Sequence, residues 1–354
     1  MSDKKHLGWL YEQLPGVLGA GMKQLIVTAI VTLCVGRSLA GSSFFTISTE
    51  TVPHAVMTDD IEVVKAVTAT NKAAVNARST DDGMDWPPLH YAANFGRLKI
   101  AELLIERGAS VTATDRWGHA AIHEAVIGNH LDLAKLLVKH YPNVNLRDNL
   151  GQTPLFLAAR KGYDSMVNWL LTQGAEININ DAEGKTPLFR AAFENRTNTV
   201  ELLLNKGARL DVFAATILGK TNELTAILKA DPELANEKSG GDWRPLHFAA
   251  AFGQVEATKI LIAHKAEVNA RDSSGFTPLH AVAIGARPGH VGVAEILLAN
   301  GANPDAKSEK WGTALDLARS IVGDKEVAKL LGRKAGSGKS NPDATSQKRP
   351  SVEE

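Results

Sequence analysis

Histidine offers this chain its widest choice of chemistry, and 11 of the 354 residues are histidine. His119 and His123 stand four apart, the spacing at which two imidazoles on one helix face bind zinc. No glutamate lies between them, and His119 precedes the helix that its successors begin, so no metal site is expected. His90, His123, His247 and His280 share a second context, each following a leucine or isoleucine in a recurring tetrad. Phe156 and Phe189 take the same place in other copies, which argues against catalysis by any of the four. The segment Gly336-Ser337-Gly338-Lys339-Ser340 has the end of a phosphate-binding loop, but Arg333 stands where its first glycine is needed and no strand or helix pattern flanks it. Cys34 is the only cysteine and lies in an apolar run, which removes disulfides, a thiolate nucleophile and thiol metal sites from the body of the chain. No Gly-x-Ser-x-Gly elbow, paired-carboxylate motif or dinucleotide fingerprint occurs. The chain is expected not to be an enzyme, and to need no cofactor.

Charge excludes a further class. There are 39 basic and 39 acidic residues, so no global field draws the chain to nucleic acid or anionic lipid. The partner expected is a protein.

The elements that position these side chains repeat with a period of 33. Pro87-Pro88-Leu89-His90, Ala120-Ala121-Ile122-His123, Thr153-Pro154-Leu155-Phe156 and Thr186-Pro187-Leu188-Phe189 follow one another at that interval. Arg244-Pro245-Leu246-His247 and Thr277-Pro278-Leu279-His280 resume it, and Thr313-Ala314-Leu315-Asp316 ends it. Thr153 before Pro154 suits a helix start, with a hydroxyl for free amides and a proline where its missing donor costs nothing. Leu155, Ala158 and Ala159 give a narrow apolar face, and Gly162 suits a left-handed helix end. Met166, Val167, Leu170 and Leu171 recur at helical spacing in a second helix, which Gly174 ends, and Asp181-x-x-Gly184 marks the tip of a hairpin-like finger. One such unit cannot bury both faces of two short helices, so stability must come from stacking on neighbours.

Tetrad, period and glycines resemble the ankyrin-repeat family over roughly residues 53 to 332. The resemblance implies an all-α ankyrin-repeat solenoid, a helix-turn-helix plus a β-hairpin-like finger in each 33-residue repeat. It also implies that the tetrad histidines tie fingers to first helices by hydrogen bonds, and that a monomeric scaffold binds a protein on its concave side of finger tips and first helices. By position that face takes in Trp86, Asn94, Phe95, Trp117, His119, Gln152, Arg160, Lys161, Lys185, Phe193, Glu194, Trp243, Phe252 and Phe276. The alternative is a small-molecule-binding or enzyme-accessory protein using the concave groove, which requires a polar cluster with strongly perturbed ionisation.

Several positions depart from the family's pattern. Tyr141-Pro142 stands where Gly-Ala is usual, Asn129 and Asn195 replace one helix-ending glycine and Lys265 another, and residues 286 to 290 carry a three-residue insertion. Asparagine tolerates the left-handed conformation, whereas lysine there costs on the order of 1 kcal/mol. Between Asp211 and Lys238 the tetrad vanishes, and Asp242-Trp243-Arg244-Pro245-Leu246-His247 follows as Asp85-Trp86-Pro87-Pro88-Leu89-His90 follows the N-terminal cap. The expected organisation is therefore two sub-arrays, 53–210 with an N-terminal cap and 211–332 with a degenerate first repeat and a C-terminal cap. That degenerate unit either bends the array or stacks normally.

Lys23, the apolar run Leu25 to Val35 and the small residues Ser38 and Ala40 have the layout of a signal peptide cleaved between Ala40 and Gly41. Residues 1–40 are expected to be a leader and signal peptide, with Met22 as the start, and residues 41–52 a linker. The chain is then periplasmic or secreted, or anchored in the inner membrane as a tethered adaptor if the run is not cleaved. Residues 333–354, rich in Lys, Ser, Pro and Gly, are expected to form a disordered tail.

Overall fold

The computed structural model describes residues 51–79, 83–284, 288–320 and 325–337. The leader, the cleavage site at Ala40 and Gly41, and the chain after Ser337 lie outside this range. Among the described residues no helix is long and apolar enough to cross a membrane.

The architecture is all-α, as the repeat pattern implies, and built from paired helices. In the first compact unit, which ends at Glu176, the pairs are α1 (Thr51–Met57) with α2 (Ile61–Thr70), α3 (Pro88–Phe95) with α4 (Leu98–Glu106), α5 (Ala121–Ile127) with α6 (Leu131–His140), and α7 (Pro154–Lys161) with α8 (Asp164–Thr172). The second unit, from Ile177, holds α9 (Pro187–Phe193) with α10 (Thr197–Asn205), α11 (Val212–Ile217) with α12 (Thr221–Ala230), α13 (Pro245–Ala251) with α14 (Val255–Ala263), α15 (Pro278–Ile284) with α16 (His290–Ala299), and α17 (Ala314–Ala318) with α18 (Lys325–Ser337). Both sides of the expected join at residues 210 and 211 belong to this second unit. Helix α18 runs past the expected boundary at 332, so the first residues assigned to the tail are helical.

Within each unit a first helix packs on the first helix of the next pair, α1 on α3, α3 on α5 and α5 on α7 in the first, and α9 on α11, α11 on α13, α13 on α15 and α15 on α17 in the second. Alanines such as Ala92, Ala125, Ala158, Ala249 and Ala281 are fully buried at these contacts and let the backbones approach. In the second unit one apolar core joins Val212, Leu224 and Leu228 to Leu246, Leu261, Leu279, Val293, Leu317 and Leu331.

Local chemistry starts and stops the helices as the residue types suggest. Thr153 Oγ1 accepts the Phe156 amide at 3.3 Å and Thr186 Oγ1 that of Phe189 at 3.0 Å. Gly162 is left-handed at φ 79°, and so are Asn129, Asn195 and Lys265 at 59°, 56° and 64°. Tyr141 instead leaves its helix extended, at φ −145°, with Pro142 next. Four fingers turn on an aspartate, at positions 115, 148, 181 and 272. Asp181 Oδ1 accepts the amides of Glu183 and Lys185, and Asp272 Oδ1 those of Ser274 and Phe276, all at 2.8–2.9 Å.

Ties between units run from side chain to backbone. His247 Nδ1 accepts the Arg244 amide at 3.2 Å, which leaves Nε2–H to donate to Phe276 O of the next finger at 3.2 Å. His123 reaches Leu146 O, His280 reaches Gly312 O, and His90 reaches His119 O in the same way. His90 differs at its other nitrogen. Pro87 has no amide hydrogen, and Nδ1 is buried without a partner. Asparagines add a second tie: Asn236 donates to Lys265 O at 3.0 Å and accepts from the Glu267 amide at 2.8 Å.

The degenerate unit is a complete helix pair that has lost its finger. Asp211 caps α11 by accepting the Ala214 amide at 2.7 Å, and α11 lies between α9 and α13. Its start follows that of α9 by 25 residues, eight short of the period. The unit stays in contact with the first helices on both sides of it.

Two substitutions test this local reading. Lys265→Gly relieves a left-handed lysine and raises stability by about 1 kcal/mol, read as a higher urea midpoint. Pro87→Thr supplies both the amide that His90 Nδ1 lacks and a capping hydroxyl, and it raises stability by about 1 kcal/mol. An unchanged or lower midpoint contradicts the assignment in either case.

Candidate functional site

The finger between α4 and α5 holds the most concentrated polar chemistry described. Asp115 Oδ1 accepts the amides of Trp117 and His119, the same pair of bonds that Asp148, Asp181 and Asp272 make in their fingers. This places His119 over the first turn of α5, its ring stacked 5.5 Å from that of His123. His119 Nδ1 donates to Glu124 Oε1 at 2.8 Å, Nε2 lies 3.4 Å from Asp148 Oδ2, and Asp115 Oδ2 is 3.9 Å from Nδ1. All three carboxylates are buried.

Burial alone would lower the His119 pKa, but hydrogen bonds to Asp148 and Glu124, with the charges of Glu124 and Asp115, raise it to about 9. His123 goes the other way, to about 4, through burial first and then the neighbouring His119 charge. Burial would raise the Asp148 pKa, and the His119 bond with two backbone amides holds it below the usual carboxylate range. Glu124 also accepts from Asn94 Nδ2 at 2.8 Å, and Asp115 from Trp86 Nε1 at 2.9 Å.

Asp115, His119 and Glu124 each offer a donor atom, and these atoms lie within 4.8 Å of one another. Inspecting only the interval between His119 and His123 misses them, because the acids flank it. Asp115 lies one finger corner earlier and Glu124 one residue later.

The residues expected on the binding face divide sharply. Phe95, Trp117 and Phe193 are exposed, at 44%, 38% and 36%. Lys161 is also exposed, while Asn94, His119, Arg160, Lys185, Glu194, Trp243 and Phe252 are partly covered. Trp86, Gln152 and Phe276 are buried and present little surface. The indole of Trp86 is spent inside the array on Asp115, and that of Trp243 makes the matching bond to Asp272 at 2.9 Å. A buried indole N–H needs such a partner, so both tryptophans before the tetrads tie units together.

In the second unit the missing finger brings together rings that the repeat would keep apart. Phe189 meets Phe248 edge-on at 5.6 Å, although they belong to α9 and α13, and Phe213 of α11 lies 6.3 Å and 5.6 Å from them. Phe193 packs on Phe252 at 5.5 Å, and Trp243 on Phe248 at 5.1 Å. Arg190 lies over Phe193 at 5.8 Å, as Lys185 does over Phe189. The flanking fingers close on the gap. A Cβ at Gly240 would stand 2.9 Å from Glu183 Oε2, so glycine permits that approach.

Comparison with known proteins agrees with this geometry. A model of ankyrin repeats in three copies matches residues 122–214 and 212–308, more than half of the chain, and a model of ankyrin repeats in many copies matches 89–138. The chain belongs to the ankyrin-repeat family, whose repeats mediate protein–protein interactions and which consists in general of binding scaffolds, not enzymes. Among its relatives, alpha-latrocrustotoxin-Lt1a of Latrodectus tredecimguttatus is 41% identical over 108 residues, 30% of this chain and 7% of the toxin. An ankyrin repeat protein of Rickettsia bellii (strain RML369-C) is 47% identical over 58 residues, 16% of this chain and 24% of that protein. Human protein phosphatase 1 regulatory subunit 27 is 35% identical over 72 residues, 20% of this chain and 45% of the subunit. The matches span less than half the length of each of these relatives.

The tetrad histidines set a pH response. Burial lowers the pKa of His247 and His280 from the ordinary 6.5 against the pull of their backbone bonds. An unfolded chain therefore takes up protons that the fold refuses, so the stability present above pH 6.5 is lost as pH falls below it. His280→Phe, which installs the residue found at Phe156 and Phe189, is expected to cost about 1 kcal/mol at pH 7 through lost hydrogen bonds. It also flattens the fall in urea midpoint between pH 6.5 and 5. Parallel pH curves for variant and wild type contradict this.

Proposed function

We propose that this chain is a non-catalytic scaffold that captures a protein partner on the face made by its finger tips and first helices. One observation carries the reading. Phe95, Trp117 and Phe193 hold exposed rings, Phe95 and Phe193 at the ends of packed helices and Trp117 on a hydrogen-bonded finger. Rigid, exposed aromatics are what binding hot spots use, because they bury much area with little side-chain freedom lost. The two aromatic sites lie in different compact units, and each supplies contacts on its own account. The perturbed ionisation of His119 is the observation that favours the other reading, a ligand-binding or enzyme-accessory role.

Export is part of the proposal and rests on the signal-like layout of Leu25 to Val35 and Ser38 to Ala40. Mature protein purified from the exported fraction should begin at Gly41. A mature chain that retains Leu25 to Val35 contradicts cleavage and leaves the tethered form.

For the partner, crosslinking capture from the native source compares wild type with Phe95→Ala/Trp117→Ala and with Phe193→Ala. Tyr141→Ala, exposed at the end of a second helix, serves as the control. Loss of an anchor worth about 2 kcal/mol weakens binding roughly thirtyfold. The captured partner should be depleted with the finger-face variants and kept by the control. Equal recovery with all of them overturns the proposal.

A further inference from the structure

Asp115 at the first corner of a finger, His119 at its last residue and Glu124 in the first turn of α5 offer one donor atom each, all within 4.8 Å of one another. His119 Nδ1 is 2.8 Å from Glu124 Oε1 and 3.9 Å from Asp115 Oδ2. A tetrahedral ion with bonds of about 2.0–2.2 Å holds its ligand atoms roughly 3.3–3.6 Å apart. These two separations lie on either side of that value and the third pair of donor atoms lies within 4.8 Å, so side-chain adjustments on the order of 1 Å complete the set.

A second observation points the same way, from the groups behind the donors. The other ring nitrogen, Nε2, faces Asp148 Oδ2 at 3.4 Å, and the remaining oxygen of Asp148 is fixed by the amides of Leu150 and Gln152 at 2.8 Å. A carboxylate behind the far nitrogen is what orients a metal-binding histidine. Glu124 Oε2 is held by Asn94 Nδ2, and Asp115 by Trp86 Nε1 and two finger amides. Each ligand is thus held by a group outside the set, Asp115 through the same Oδ2 that faces His119, and His119 Nδ1 lies against Glu124 Oε1.

Charge completes the case. Three buried carboxylates face one imidazole, and a divalent cation among them would offset their charge. A nitrogen donor disfavours calcium and magnesium, which take oxygen ligands.

We infer that Asp115, His119 and Glu124 bind one zinc-type divalent metal ion, with Asp148 as the positioning residue for the imidazole and a fourth coordination position left to water. On binding, the Nδ1 proton leaves to solvent and the Nδ1–metal bond takes its place, with no change of oxidation state. The side chain of His119 is partly exposed, with the Trp117 ring 6.4 Å away, so the open position faces the finger surface. The inference stands apart from partner capture, since either holds without the other.

The untagged full chain, stripped with chelator, is titrated with Zn2+ by calorimetry and with Co2+ by visible absorption. Wild type should show one saturable site and the intense bands of tetrahedral Co2+. Glu124→Gln, which keeps its size and a partner for Asn94, should weaken Zn2+ at least about tenfold and lose those bands. Asp148→Asn should weaken it about 10–100-fold with the bands retained. His264→Gln, a histidine in the second unit, should bind as wild type does. Circular dichroism confirms that each variant folds, and Asp148→Asn carries the test if Glu124→Gln does not. Equal affinity of wild type and the folded site variants, or no saturable binding by wild type, overturns the inference.

Discussion

The structure depends on a donor–acceptor constraint between consecutive repeats. A finger carbonyl that faces inward has no strand beside it, and the tetrad histidine of the preceding unit supplies the missing donor, as His247 does for Phe276 and His280 for Gly312. At His247 and His280 the amide at the helix start occupies Nδ1, which fixes the neutral tautomer that carries the Nε2–H. Burial keeps the ring neutral, so tautomer, burial and tie are one arrangement. The asparagines at positions 76, 145, 236 and 269 and the tryptophans at 86 and 243 repeat the logic elsewhere in the unit. These repeats rely on their neighbours for part of their polar pairing, as they do for burying their apolar faces.

Deleting a finger from such an array removes a ridge without removing a stacking layer. Helix α11 keeps its place between α9 and α13, and the space is taken by rings of Phe189, Phe213 and Phe248. Phe193 is left with one side in solvent. The exposed aromatic surface of the second unit follows from a local shortening of the chain, and its interior rings explain why the shortened unit stays packed.

The fold was legible because its determinants are local and periodic. A capping threonine, a proline at the helix start, a left-handed residue at the helix end and an Asp-x-x-Gly corner each announce themselves within a few residues. The left-handed lysine at 265 follows from the period alone. The sites were less legible because they depend on which side chain is already engaged. Trp86 and Trp117 look alike as finger tryptophans, yet one indole bonds Asp115 inside the array and the other is exposed. Phe189 and Phe248 are 59 positions apart, so a 33-residue period hides their contact. Glu124 and Asp148 meet His119 across two fingers, and no linear spacing of zinc-binding type covers that set.

Native-state hydrogen exchange on wild type and His247→Ala tests the dependence of one unit on the next most directly. The histidine sits on α13, and the finger it supports runs from Asp272 to Phe276. If inter-unit ties hold the fingers, the amides of Ser274 and Phe276 should exchange faster in the variant, together with those of α13. Acceleration confined to residues 245–251, with the finger amides as protected as in wild type, would contradict the account.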